Sequence, residues 1–221
     1  MKKNICVSVS TDPVLGYQEI IDYAKDMQNT ADFLHCDVMD GEFVRKTTFD
    51  ETLIKNINSA SLITLDVHLM VDEPYDKIQK YIDAGANFIT VHYEAFKDKQ
   101  ELVRAIKYIK SKGILAGVSF KPATPVKEIK PYIFNVDLVL VMSVEPGASG
   151  QRFIFETYDK IKELNRFREE NSLDFKISVD GGVSNENAKL LAEYGVDILV
   201  SGSYVYKSND RKKAVEELKN N

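Results

Sequence analysis

At 221 residues, with 44% hydrophobic side chains and a formal charge of -5, the chain has the length of one α/β domain, and its scattered Lys and Arg form no basic stripe for nucleic acid. Its start, MKKNICVSVSTD, lacks an apolar core of signal-peptide length, and no run approaches the ~20 apolar residues of a membrane span, so a cytoplasmic protein with no membrane partner is expected. Two cysteines, Cys6 and Cys36, lie inside β-rich runs, where they read as small buried hydrophobes and not as a disulfide framework.

Two textures alternate along the chain. Short β-rich runs at 5–10, 32–38, 62–69, 87–92, 114–120, 137–142, 175–179 and 197–202 predict eight strands. Between them, Ile, Leu, Val and Tyr recur at three- and four-residue spacing over 17–28, 75–84, 99–112, 156–170, 185–193 and 211–219, which predicts helices. Gly85, Gly113 and Gly195 each fall between a helical run and a strand, where glycine ends a helix. Strands recur every ~25 to 30 residues, and no linker or low-complexity tract interrupts them, so residues 1–221 are read as a single domain. Eight strands, each followed by a crossover, predict a (β/α)8 TIM barrel, which keeps its chemistry at the C-terminal ends of the strands.

Those ends carry metal-capable side chains. His35 and Asp37 are two apart in one strand and so face the same way, with Cys36 opposite. The next strand places Asp66 and His68 on one face, and Asp180 ends a later strand. For the His35 and Asp37 pair alone, a self-satisfied buried pair explains as much as a ligand set does. The addition of His68 and Asp180 favours a metal, and imidazole nitrogen with carboxylate oxygen suits zinc, manganese, cobalt or ferrous iron. Asp66 is either a group that orients a ligand or a packed structural carboxylate. His92 closes its strand and reads as a polar wall or supporting group more readily than a fifth ligand; a substrate contact is the further option. Met39, Met70 and Met142 also stand at strand ends, either to exclude water above a metal or to fill the core.

A second constellation is rich in glycine: Glu145-Pro-Gly-Ala-Ser-Gly-Gln151, Asp180-Gly-Gly-Val183 and Ser201-Gly-Ser203, after the sixth, seventh and eighth strands. Glycine lets backbone N–H groups approach an anion, and the loops after strands seven and eight are where such barrels frequently hold phosphate. No nucleotide-binding P-loop and no dinucleotide fingerprint is present in the sequence.

Read together, His35-Cys-Asp-Val-Met-Asp-Gly-Glu-Phe-Val44, Leu65-Asp-Val-His-Leu-Met70, Ile89-Thr-Val-His92, Lys121-Pro-Ala-Thr-Pro125, the run LVLVMSVEPGASGQ over 138–151 and Val179-Asp-Gly-Gly-Val183 resemble the ribulose-phosphate 3-epimerase family over nearly the whole chain. The resemblance implies a barrel of the ribulose-phosphate-binding type that holds one divalent metal ion and inverts the sugar-phosphate carbon beside a ketone. It implies His35, Asp37, His68 and Asp180 as metal ligands, with Asp37 and Asp180 also the acid/base pair. It places the substrate among His68, Met39, Met70, His92, Met142, Gly147, Ala148, Ser149, Gly150, Gly181, Gly182, Gly202 and Ser203. A ketose-phosphate substrate and a homo-oligomer, dimer or hexamer, are implied as partners. Ribulose 5-phosphate is the first substrate expected and a hexulose phosphate such as allulose 6-phosphate the second.

The rim departs from the family pattern. The family's Pro-Ser-Ile-Leu-Ser run aligns here with Cys6-Val7-Ser8-Val9-Ser10, which puts Val7 in place of a substrate-binding serine. Phe43-Val44-Arg45-Lys46 and Pro146-Gly147-Ala148-Ser149-Gly150 differ from its usual loops. Rival readings are a phosphate-binding lyase or decarboxylase, which needs a strand-end lysine beside the aspartates, and a noncatalytic sugar-phosphate sensor. The sensor has no use for two aspartates.

Overall fold

The computed structural model describes residues 5–11 and 15–220 of the chain, so the basic N-terminal start lies outside the described residues. Eight parallel strands close into a barrel in sequence order: β1 (Cys6–Ser10), β2 (Phe33–Met39), β3 (Thr64–Met70), β4 (Phe88–His92), β5 (Leu115–Phe120), β6 (Leu138–Met142), β7 (Lys176–Asp180) and β8 (Ile198–Ser201). Pairing of β8 with β1, through Cys6 with Ile198 and Ser8 with Val200, completes the ring. Each strand lies within two residues of its predicted bounds.

The helices are α1 (Tyr17–Met27), α2 (Glu51–Ala60), α3 (Ile78–Ala84), α4 (Lys99–Ser111), α5 (Val126–Ile129), α6 (Thr157–Glu170), α7 (Ala188–Glu193), α8 (Ser203–Tyr206) and α9 (Arg211–Lys219). The one-turn helices α5 and α8 lie outside the predicted segments, and three larger elements also differ from expectation. α2, which the spacing did not announce, has a narrow apolar stripe of Leu53, Ile54 and Ile57 and depends on Asp50, whose side chain caps it by accepting from the Leu53 N–H at 2.8 Å. The helix expected from 75 begins instead as a 3-10 turn, Pro74–Lys77, after Glu73 in the left-handed region. The one expected from 185 starts at Ala188, because the Asn187 side chain accepts from the Ser184 N–H at 3.0 Å and holds a turn there. Gly85, Gly113 and Gly195 have the positive φ expected of helix terminators. No helix among the described residues is long and apolar enough to cross a membrane.

Strand alternation divides the molecule into two interiors. The outward residues, such as Leu34, Cys36 and Val38 of β2 and Leu65, Val67 and Leu69 of β3, form one large core with Ile54, Ile57, Leu102, Ile109 and Leu164 of the helices. Burying each such side chain contributes about 1.5–3 kcal/mol. Burial first, then the nearby charges of Asp66 and Asp37, push the Cys36 thiol well above its ordinary pKa, which leaves it a protonated hydrophobe.

The inside of the barrel is different. Barrels of this kind are ordinarily filled with branched apolar side chains, but β1 to β5 and β7 bury Ser8, His35, Asp66, His68, Thr90, His92, Ser119 and Ser178. Leu140 and Met142 of β6, Val144 just past it and Val200 of β8 supply a small apolar wall. Val7 does not stand at the substrate position expected of it: it is buried in the helix-side core, while Ser8 and Ser10 bond to groups inside the barrel.

Candidate active site

The site is built on the pairing of β2 with β3. Cα partners set His35 beside Asp66 and Asp37 beside His68, so His-x-Asp on one strand meets Asp-x-His on the next. Each imidazole therefore gains a carboxylate neighbour. His35 Nδ1 lies 2.7 Å from Asp66 Oδ2, and His68 Nδ1 lies 3.1 Å from Asp37 Oδ1. Ser8 donates to the same Asp66 Oδ2 at 3.1 Å, so Asp66 is tied from both sides and turns His35 toward the barrel axis.

A cation fits what remains. His35 Nε2 is buried and lacks a hydrogen-bond partner, although Asp37 Oδ1 is 3.2 Å away. Such an orphaned nitrogen is costly unless something outside the protein satisfies it. Ligand-capable atoms of His35, Asp37, His68 and Asp180 all lie within 4.8 Å of one another. Two nitrogens and two carboxylate oxygens could hold a borderline divalent ion, as the sequence reading expected.

The two carboxyls are tuned in opposite directions. Burial favours the neutral form of Asp37, but the charge of His35, whose Nε2 is 3.2 Å away, with His68 added, outweighs it and holds the carboxyl below the usual range. Asp180 has burial and the charge of Asp37 acting together, which raise its pKa. Burial likewise opposes a charge on His35, yet Asp66 and Asp37 together raise its pKa well above the ordinary value when no cation is present.

His92 stands behind this cluster. It is fully buried, its Nε2 is 2.9 Å from Nε2 of His68, and Phe43 covers it with ring centroids 4.8 Å apart. Phe43 is held there by Asp40, whose Oδ1 accepts from the N–H groups of Glu42 and Phe43 and whose Oδ2 accepts from the Asp72 N–H and Lys77. Lys121 stands over the outer face of Phe43, 4.3 Å from its centroid.

A cleft opens beside Asp37 and Asp180. Met39, Met70 and Met142 line it, with Gly147, Ala148, Ser149, Gly150, Gly181, Gly182, Gly202 and Ser203 on its other sides. His68 and His92 are not among its lining residues; both lie deeper. The close approach of loops explains two of the glycines. A Cβ on Gly181 would fall 2.5 Å from Val144, and one on Gly182, at φ +64, would fall 2.7 Å from the Phe153 backbone nitrogen. Gln151 closes the preceding loop by donating to the carbonyls of Glu145 and Ala148.

Sequence reasoning passed over Ser10, Thr11, Phe49, Tyr206 and Lys207, which also line the cleft. Ser10 Oγ is 3.4 Å from Asp37 Oδ2, and Thr11 Oγ1 is buried without a partner. For Ser10 a signal existed: the alternation Ser8-Val9-Ser10 repeats the two-residue period of His35 and Asp37.

Comparisons with known proteins converge on one family. The profile described as the ribulose-phosphate 3 epimerase family matches residues 8–206. The chain is similar to the ribulose-phosphate 3-epimerase of Bacillus subtilis (strain 168), at 44% identity over 190 residues and 86% of each chain. It is likewise similar to that of Helicobacter pylori (strain J99 / ATCC 700824), at 38% identity over 94% of this chain and 95% of the other. Among solved structures, a 3-hexulose-6-phosphate synthase aligns with a TM-score of 0.72 at 16% identity, covering 98% of this chain and 99% of the other. KGPDC from Streptococcus mutans aligns with a TM-score of 0.74 at 14% identity, covering 99% and 97%. At those identities the structures speak for the barrel alone. The sequence matches go further: the chain belongs to the ribulose-phosphate 3-epimerase family.

Proposed function

We propose that this epimerase inverts C3 of a ketose phosphate, interconverting D-ribulose 5-phosphate and D-xylulose 5-phosphate, with Asp37 and Asp180 as the acid/base pair. The observation that carries the reading is the pair of carboxyls beside one cleft, one held ionised and one pushed toward its neutral form. Inversion requires a proton taken from one face of the carbon and returned to the other, which is work for one base and one acid. Asp37 and Asp180 come from β2 and β7, with β1 and β8 between them, so they can flank a substrate carbon from two sides. His35, Asp37, His68 and Asp180 would hold the divalent ion. When bound, it supplies positive charge to offset the negative charge that develops on the substrate oxygens as the proton leaves.

The remaining residues bind and exclude. Backbone N–H groups at Gly181, Gly182 and the loop through Gly147 and Gly150 are suited to the phosphate, and Met39, Met70 and Met142 keep water from the reacting carbon. Ser10 offers a hydroxyl to the sugar beside Asp37. With Val7 turned away from the cleft, its lack of a hydroxyl no longer speaks for a hexulose phosphate. The test is turnover of a panel of pentulose and hexulose phosphates by protein loaded in turn with manganese, zinc, cobalt and ferrous iron. Inactivity on every pentulose, with turnover of a hexulose such as allulose 6-phosphate, would sink the pentulose assignment.

A further inference from the structure

His92 is bonded on both of its nitrogens. Its Nδ1 lies 3.2 Å from Glu94 Oε2, and its Nε2 lies 2.9 Å from His68 Nε2. The other oxygen of Glu94 accepts from the Lys121 N–H at 2.8 Å and from the Thr124 hydroxyl at 2.5 Å, so the carboxylate is fixed in place with only lone pairs to offer His92. The proton of a neutral His92 therefore sits on Nδ1, which leaves a lone pair on Nε2. That lone pair faces His68 Nε2, which must be the donor. Ser119 lies alongside, 3.2 and 3.1 Å from the two ring nitrogens of His92, and its rotating hydroxyl adapts to either tautomer without choosing one.

We propose that Glu94 and His92 form a relay that holds the proton of His68 on Nε2, so that the Nδ1 lone pair of His68 points into the centre. The inference rests on the reading of the cluster as a metal site and adds two positioning residues to it. Asp66 acts in the same sense on the neighbouring strand, since its claim on His35 Nδ1 makes Nε2 the nitrogen that gives up its proton and turns a lone pair to a cation. His35 Nε2 and His68 Nδ1 then both face Asp37 Oδ1, at 3.2 and 3.1 Å. Once the proton that His35 carries in the metal-free protein is displaced, all three atoms present lone pairs to one point, as a cation requires. The relay thus lets a ligand set assemble in a form ready to coordinate.

The experiment uses the full chain labelled with 15N, in which long-range proton-nitrogen correlations report the tautomers of the three histidines, with and without zinc as a diamagnetic probe. His92 should carry its proton on Nδ1 and His68 on Nε2, with the Nδ1 resonance of His68 shifted by zinc. Glu94→Gln keeps the shape but reverses the last link. Its amide oxygen stays with Lys121 and Thr124, so its NH2 faces His92 and drives the proton of His68 onto Nδ1. Zinc affinity measured by calorimetry should fall by roughly tenfold to a hundredfold, and Glu94→Asp should restore the original tautomers. A wild-type spectrum with His68 protonated on Nδ1 overturns the relay, as does a Glu94→Gln protein whose tautomers stay put or whose zinc affinity stays within about twofold of wild type. Wild-type protein that takes up no zinc overturns the metal-site reading instead, and the zinc-free spectra still decide the relay.

Discussion

Asp180→Asn separates the two carboxyls most cleanly. Asparagine keeps the size of the side chain but has no carboxyl to give or take the C3 proton, whereas Asp180 is pushed toward the neutral form by burial and by Asp37. An acid tuned toward its working pH contributes roughly a hundredfold to ten-thousandfold, or about 3–5 kcal/mol, and epimerisation should fall by that factor. Asp37 is untouched and remains ionised through His35 and His68. The loss should therefore be lopsided: the epimer whose C3 hydrogen faces Asp37 still exchanges it with solvent, and the other epimer does not. Deuterium uptake from heavy water, followed by NMR from each epimer separately, reads the difference, with bound metal quantified by mass spectrometry on the same samples. Fully metal-loaded Asp180→Asn protein that still epimerises near the wild-type rate, or loses exchange equally from both epimers, refutes the two-carboxyl assignment.

Metal uptake should carry a pH signature. In the metal-free protein Asp66 and Asp37 raise the pKa of His35, so a cation must displace a proton from it, and apparent affinity should fall as pH falls below that raised value. Calorimetry in buffers of different ionisation enthalpy should show the proton released. The same raised pKa means that metal-free protein gains stability from His35 at pH values below about 6.5 and loses it as pH rises through the folded value; thermal melts across that range check the sign. Gly182→Ala forces a side chain to φ +64, at about 1–2 kcal/mol, and pushes against the Phe153 backbone. A lower melting temperature and a raised KM should follow, and neither changing would remove the close-approach argument. Arg168→Met breaks a largely buried pair with Asp197 and removes the Arg168 donors to the carbonyls of Phe175 and Gly195, at about 3–5 kcal/mol. The melting temperature should drop by roughly 6–20 °C with kcat per folded molecule unchanged, since none of these residues lines the cleft.

What could be read from the chain depended on how local its cause was. The strands announced themselves through runs of Val, Ile and Leu; His35, Asp37 and His68 were legible from the two-residue period within β2 and β3, and Asp180 because it ends β7. Pairing was not legible. That His35 would sit beside Asp66 depends on the register of two strands about thirty residues apart, which no local pattern states. The place of Val7 was misjudged because matching a motif assigns a role by position and says nothing of which face of β1 the side chain takes. Glu94 escaped notice because it lies past its strand, in the 3-10 turn Tyr93–Ala95, which brings the carboxylate back onto His92. α2 was missed because three apolar residues among polar ones look like a loop until Asp50 is seen to cap them.

The crossed order of His35-x-Asp37 and Asp66-x-His68 also bears on how the chain finds its shape. Hydrophobic alternation punishes a strand that slips by one residue but is blind to a slip of two, which returns every side chain to its proper face. Here a slip of two would bring Asp37 against Asp66 or His35 against His68, like beside like within a closed barrel. Those juxtapositions are penalised where desolvation is most complete. Asp37, proposed to move a proton, thus also helps His35, Asp66 and His68 to proofread the seam between β2 and β3.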